Sequence, residues 1–174
     1  MKRTKIDIHD LNLKPGDVWE NDWFLLTAGD YKRGQFNTMT VAWGSLGTMW
    51  NKPFAQVVVR PSRYTLDFME RYDTFTLSRL PKKYKSALAF LGSKSGRDIP
   101  EKHLQAGLTP VEVSKVKAPA FDEADLIIAC KKTYWQDMEE KNFLDTSIMS
   151  KYPGETDFHR IYFGEIMHVE IGNL

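Results

Sequence analysis

Mainly β structure, arranged as an antiparallel barrel with helices inserted between the strands, is what this 174-residue sequence predicts. Short runs rich in Val, Ile, Thr and aromatic residues recur along it, each closed by Gly, Pro, Asn or Asp. Most follow one another directly, as sequential antiparallel strands do. Stretches of helical spacing interrupt the series without dividing it, so the helices decorate a barrel rather than form a layer of their own.

Taken in order, Lys14-Pro15-Gly16-Asp17 is a turn that closes an N-terminal arm, residues 1–20. Residues 23–29 (Trp-Phe-Leu-Leu-Thr-Ala-Gly) read as a buried strand, and residues 30–34 as a hairpin connection to the next strand, 36–43. On that strand Asn37, Met39 and Val41 share one face, and Thr38, Thr40 and Ala42 the other. Residues 45–52 are expected as a loop, and 53–60, with three consecutive valines, as a central strand. Pro61 stops it. A helix over 65–72 follows, with Leu66, Met69 and Tyr72 spaced by three and Ser62 or Thr65 as its cap. A strand over 75–80 ends at Pro81, and a helix over 82–91 is expected to end at Gly92 as C-cap. Pro100 opens a short helix that ends near Gly107. Strands are predicted over 111–116, 124–138 and 161–171, the last with a bulge at Gly164. No repeat or linker divides the chain, so residues 1–174 are expected to form one domain.

Composition excludes several functions. Lys and Arg total 24 against 23 Asp and Glu, a balance that offers no field for nucleic acid or a membrane surface. The single cysteine, Cys130, permits no internal disulfide, and no Cys/His cluster offers a metal site. Cys130 lies mid-strand and reads as a small core hydrophobe. No secretory leader and no run of roughly 20 apolar residues is present, so a cytoplasmic setting is expected.

Four groups of residues can carry chemistry. Arg60, Ser62, Arg63, Tyr64 and Thr65 put two guanidiniums and three hydroxyls where a helix begins, a setting that suits a phosphate. It equally suits a capped helix with two exposed arginines. Asn37, Thr38, Met39 and Thr40, with Trp43 beyond them, can offer hydrogen bonds and a flat surface to a polar heterocycle, or form an edge strand facing water. Lys94, Ser95 and Gly96 make a small cationic loop that can approach a ligand closely or lie in solvent. His159, near Asp157 and Arg160, can touch a cofactor or donate to a bound nicotinamide and is the catalytic candidate, whereas His9, His103 and His168 read as surface residues. There is no Gly-x-Gly-x-x-Gly, no Walker loop, no HExxH and no Gly-x-Ser-x-Gly elbow.

Taken in order, these groups resemble the flavin reductase-like proteins with an FMN-binding split β-barrel, including the flavoredoxin group. The likeness rests on residues 37–44 (Asn-Thr-Met-Thr-Val-Ala-Trp-Gly), 60–65 (Arg-Pro-Ser-Arg-Tyr-Thr) and 92–98 (Gly-Ser-Lys-Ser-Gly-Arg-Asp). Lys102, Gly107-Leu108-Thr109-Pro110, and His159 followed by Tyr162-Phe163-Gly164-Glu165-Ile166 complete it. The resemblance implies non-covalent FMN in a homodimer, near the subunit interface, with NADH or NADPH as donor and a small-molecule or protein acceptor. It implies that residues 37–40 line the isoalloxazine, that Arg60, Ser62, Tyr64 and Thr65 hold the phosphate end, and that Lys94, Ser95 and Gly96 close over the flavin. His159 is implied near the flavin or nicotinamide. A flavin carrier with no nicotinamide turnover of its own is the alternative.

Overall fold

The computed structural model describes residues 2–172. Ten strands are present among them: β1 (Arg3–Ile6), β2 (Phe24–Asp30), β3 (Gln35–Val41), β4 (Gly44–Met49), β5 (Lys52–Val59), β6 (Thr74–Arg79), β7 (Pro110–Val111), β8 (Ala120–Phe121), β9 (Leu126–Asp137) and β10 (Arg160–Gly172). The helices are α1 (Pro15–Asp17), α2 (Thr65–Arg71), α3 (Lys85–Ser93) and α4 (Lys102–Gln105).

The main sheet runs β3-β2-β6-β9-β10-β5-β4, with every pairing antiparallel. β3 and β4 end the path and are not paired, so the barrel is split rather than closed. β10 serves two neighbours in turn: its first half pairs with β5, and its second half with β1. It carries the predicted bulge, a register shift between Phe163 and Gly164 against β9. The site demands glycine, because a Cβ there would lie 2.5 Å from the Phe75 ring and 2.8 Å from Cys130 Cβ.

Alternation of side chains along the central strands builds two cores at once. Phe24, Leu26, Phe75, Leu77, Leu126, Ile128 and Cys130 point into the barrel and meet Met39, Val57 and Tyr162. Leu25, Ile127 and Ala129 point the other way, onto Leu88 and Leu91 of α3 and onto Phe121. β2 is therefore buried along its whole length, which explains its nearly unbroken apolar run. Each such Leu or Phe side chain contributes about 1.5–3 kcal/mol by leaving water. Burial also raises the Cys130 thiol well above its ordinary range, so it is packing material rather than a nucleophile.

Several expectations need correction. Residues 45–52 are not a loop: β4 pairs with β5 from Gly44↔Val57 to Met49↔Lys52. Trp50 and Asn51, both at positive φ (54° and 57°), turn the hairpin in the sense that matches strand twist. Of the strand expected over 111–116, only Pro110–Val111 pairs, with β8. α3 extends through Gly92 to Ser93, and Lys94 is its C-cap. His103 and His168 are buried, at 6% and 8% exposure, rather than on the surface. His103 packs on the Phe36 and Phe121 rings, and His168 meets Glu170 at 2.8 Å. Arg3, in the arm, joins the sheet and bonds Glu170 and the Asp122 and Ala124 carbonyls.

Candidate functional site

At one rim of the split barrel, β3, the end of β5, the start of α2 and the end of α3 converge on a cleft of two lobes. One lobe, about 190 Å³, is lined by Met39, Thr40, Val41, Ala42, Trp43, Val58, Arg60, Arg63 and His159. The other, about 180 Å³, is lined by Asn37, Met39, Ser62, Arg63, Tyr64, Thr65, Leu91, Lys94, Ser95, Gly96 and Lys102, among others. Met39 and Arg63 belong to both, so the lobes adjoin. Together they reach the ~300–1,000 Å³ range of small-molecule sites. A larger recess of about 700 Å³, between the end of α2 and residues 112–117, holds none of the candidate residues.

The cleft thus gathers every candidate residue except Thr38. Thr38 is 1% exposed, and its hydroxyl lies within the sheet, 2.9 Å from Thr27 Oγ1 and 3.2 Å from the Leu26 carbonyl. Thr40, on the same face of the strand, does reach the cleft and donates to the Leu88 carbonyl of α3 at 2.5 Å.

The polar lobe is built from buried bonds. Asn37 Nδ2 donates to Thr65 Oγ1 at 2.8 Å and ties β3 to the first turn of α2. Neither Thr65 nor Ser62 caps α2; Tyr64 stands at the N-cap and supplies no side-chain cap bond. Gly96 packs against Asn37 so closely that a Cβ would sit 2.2 Å from Asn37 Oδ1. Behind the lobe lies Lys102, only 3% exposed, donating to the carbonyls of Leu91 (2.7 Å) and Lys94 (2.6 Å) at the C-terminal end of α3. Burial, and then the Arg63 cation, push its pKa down to about 8, so it is still mostly charged at neutral pH. Carbonyls at a helix C-terminus are the groups that favour a cation there.

The aromatic lobe is held differently. Trp43 packs against His159 with ring centres 5.2 Å apart and the planes tilted by 52°. His159 Nδ1 lies 2.7 Å from the Tyr152 hydroxyl. Burial, then the Arg60 cation, lower the His159 pKa to about 4, only partly opposed by Asp157, so the ring is neutral at physiological pH. Arg60 donates to the Lys151 carbonyl at 2.8 Å and lies over the Tyr152 ring. Ser62 gives both its backbone N–H (2.8 Å) and its hydroxyl (2.6 Å) to the Asp157 carboxylate. The chain between β9 and β10 therefore straps down this lobe at Arg60 and His159, and reaches the Ser62 edge of the polar lobe through Asp157. Its far end is anchored where Arg160 chelates Asp137 (2.6 and 2.8 Å), pairs with Glu70 at 3.0 Å and covers the Trp135 ring.

Lys102 entered the sequence reading only through the family order, and Tyr152 and Asp157 were not singled out as ligand-side residues. Nothing in the local pattern of Lys102 marks it, since its burial follows from where α4 packs. Among the described residues no cluster of His, Cys, Asp or Glu can hold a metal ion, and no helix is long and apolar enough to cross a membrane.

The split antiparallel barrel is an architecture found in solved flavin proteins. An FMN-binding domain of a flavin reductases-like enzyme from Shewanella baltica superposes with a TM-score of 0.68 at 18% identity, over 98% of this chain and 77% of that one. Flavoredoxin of Desulfovibrio vulgaris gives 0.68 at 23% identity, over 98% and 78%. An NADH:FAD oxidoreductase of Streptomyces globisporus gives 0.64 at 14% identity, over 87% and 75%. At these identities the likeness is one of fold. No curated protein matches the chain in sequence. The model of the flavin reductase like domain matches residues 21–173, and the chain belongs to that family.

Proposed function

We propose that the protein binds FMN non-covalently and acts as an oxidoreductase, passing electrons from NADH or NADPH through the flavin to a small-molecule or protein acceptor. One observation carries the reading: a cationic, hydrogen-bonding lobe and a flat aromatic lobe adjoin at Met39 and Arg63, in a chain of the flavin reductase-like family. A phosphate-bearing heterocycle has the same two-part chemistry.

The residues present fit that group. The buried Lys102 ammonium has three donors and meets two carbonyls, and Arg63 and Lys94 stand beside it. At the neighbouring junction the Ser62 N–H and hydroxyl are donors taken by the Asp157 carboxylate. Lys102, Arg63, Lys94, Ser95 and Thr65 would hold the phosphate end, and Gly96 would let the loop approach closely. Met39, Thr40 and Trp43 would support the ring. Bound FMN would supply the redox chemistry itself. The chain would bind, orient and exclude water, with His159 as a neutral polar group at the ring's edge and not as a proton donor.

A homodimer belongs to this proposal. It is supported by an exposed aromatic sheet face on which Trp50, Tyr134, Phe163 and Phe54 touch in series, with Trp50 58% and Tyr134 45% exposed. A cytoplasmic setting is proposed with it. Anaerobic spectra of the purified protein with FMN, before and after NADH and then NADPH, test the whole. Yellow protein that bleaches with one nucleotide is expected. Protein that takes up no FMN overturns the reading; yellow protein that neither nucleotide reduces leaves a flavin carrier.

A further inference from the structure

Tyr152 is the one buried residue among the described side chains of residues 139–158, at 3% exposure in an otherwise open segment. The ring sits against Phe143 and Phe158 on one side and beneath the Arg60 guanidinium, 5.0 Å away, on another. The hydroxyl reaches His159 Nδ1 at 2.7 Å and Met138 Sδ at 3.6 Å. One side chain from the strap thus touches two walls of the aromatic lobe.

The hydroxyl has a single hydrogen and two acceptors to choose between. An unprotonated imidazole nitrogen is a good acceptor, whereas a thioether sulfur is a weak one. If the hydrogen goes to the histidine, Nδ1 is bare and Nε2 carries the ring's hydrogen. If it goes to sulfur, Nδ1–H donates to the tyrosine oxygen and Nε2 is an acceptor. The two arrangements give the cleft opposite polarity at the same atom. The shorter contact and the better acceptor agree on the first.

We propose that Tyr152 is a positioning residue whose hydroxyl fixes His159 as the Nε2–H tautomer, giving the aromatic lobe a neutral N–H donor for a carbonyl or carboxamide oxygen of its ligand. The assignment rests on the reading that this lobe takes a flavin or nicotinamide ring, both of which present such oxygens. The groups facing His159 are the Arg60 and Arg63 cations, the Asp157 carboxylate, Tyr152 and Trp43. The two cations and burial keep the ring uncharged, so the polarity at Nε2 is set by tautomer and not by titration near neutral pH. Arg60, held over the same tyrosine ring, keeps its guanidinium beside the lobe.

Long-range proton–nitrogen NMR of histidine-labelled protein at pH 7 reads the tautomer directly and needs no flavin. The wild type is expected to show His159 as Nε2–H only. Tyr152→Phe keeps the ring over Arg60 and removes the hydroxyl, so His159 is expected to become a mixture of tautomers and FMN to bind about 5-fold more weakly. Met138→Leu removes the competing acceptor and is expected to leave the tautomer unchanged. An Nδ1–H tautomer in the wild type, or an unaltered one in Tyr152→Phe with native melting temperature, overturns the proposal. If Tyr152→Phe lowers the melting temperature enough to lose the fold, the wild-type tautomer and the Met138→Leu spectrum still decide it. Failure of the wild type to bind FMN would remove the functional reading while leaving the tautomer result standing.

Discussion

The polar and aromatic lobes of the cleft adjoin, yet different parts of the chain hold them. The polar lobe is set by bonds buried against the core: Asn37 to Thr65, and Lys102 to the end of α3. The aromatic lobe depends on a mostly exposed strap, through Lys151 and Tyr152 on Arg60 and Tyr152 on His159, and the same strap reaches only the Ser62 edge of the polar lobe, through Asp157. A site anchored in the core is organised before its ligand arrives. One held by surface contacts keeps its shape only while those contacts last, and opening of such segments needs far less free energy than global unfolding. On the proposed reading, the phosphate end belongs to the rigid lobe, and adaptation to ring and second substrate to the other.

The sharpest way to break that contrast is at Gly96. Gly96→Val puts atoms into the space of Asn37 Oδ1 and should cost ~3 kcal/mol of local packing, with FMN affinity falling about 100-fold by fluorescence titration while the fold remains by circular dichroism. Unchanged affinity would place the phosphate outside the polar lobe. Next in size, Lys102→Met should weaken FMN by about 2 kcal/mol, the scale of a charge-assisted bond, and leave riboflavin binding nearly unaltered. Equal losses for the two ligands would mean that Lys102 only supports the loop.

The aromatic lobe makes its own prediction in pH. The folded pKa of His159, about 4, lies below the ~6.5 of an unfolded histidine, so between these values the unfolded chain binds the extra proton. Stability from this group is complete above pH 6.5 and is lost as pH falls toward 4, by on the order of 2 kcal/mol. Denaturant titrations at pH 7 and 4.5 should show that difference, and His159→Asn should remove that part of it; an identical slope in the variant would deny His159 the role. The smallest effect is at Asp157. Asp157→Asn lifts a negative charge from Ser62 in an exposed pair, so FMN should bind within about 3-fold of wild type and in the tighter direction. Weaker binding would show instead that the carboxylate organises the junction.

How much of this could be read from the residues depended on what defines each part. The β2–β3 hairpin was legible because β2 is a short apolar run joined by a turn to the alternating β3, and the Gly164 bulge because glycine stands alone in an apolar strand. β4 was not, since Gly44, Ser45 and Gly47 have little strand preference and the strand exists through its pairing with β5. The cleft residues on β3, the Arg60–Thr65 junction and the Lys94–Gly96 loop were legible as clustered polar groups, although alternation alone could not place Thr38 and Thr40 relative to α3. Lys102 and Tyr152 were hidden for one reason: each carries a polar end usually found in water, and each is buried by how short neighbouring segments fold onto it, which no local periodicity marks. The same holds for His103 and His168.

The pairing of β1 with the second half of β10 has a bearing on how the protein is made. Arg3 lies opposite Gly172 and Ile6 opposite Val169, so β1 finds its partner only once β10, the last strand of the sheet in sequence, has been made. β6 meets the same delay, because β9 follows it by about fifty residues. β6 covers the free edge of the β2–β3 hairpin, and until β9 arrives the open edge is that of β6. Long-range antiparallel closure of this kind is slow and leaves sticky edges open to other chains. Production at low temperature and slow synthesis should therefore raise the soluble yield more than any change to the cleft.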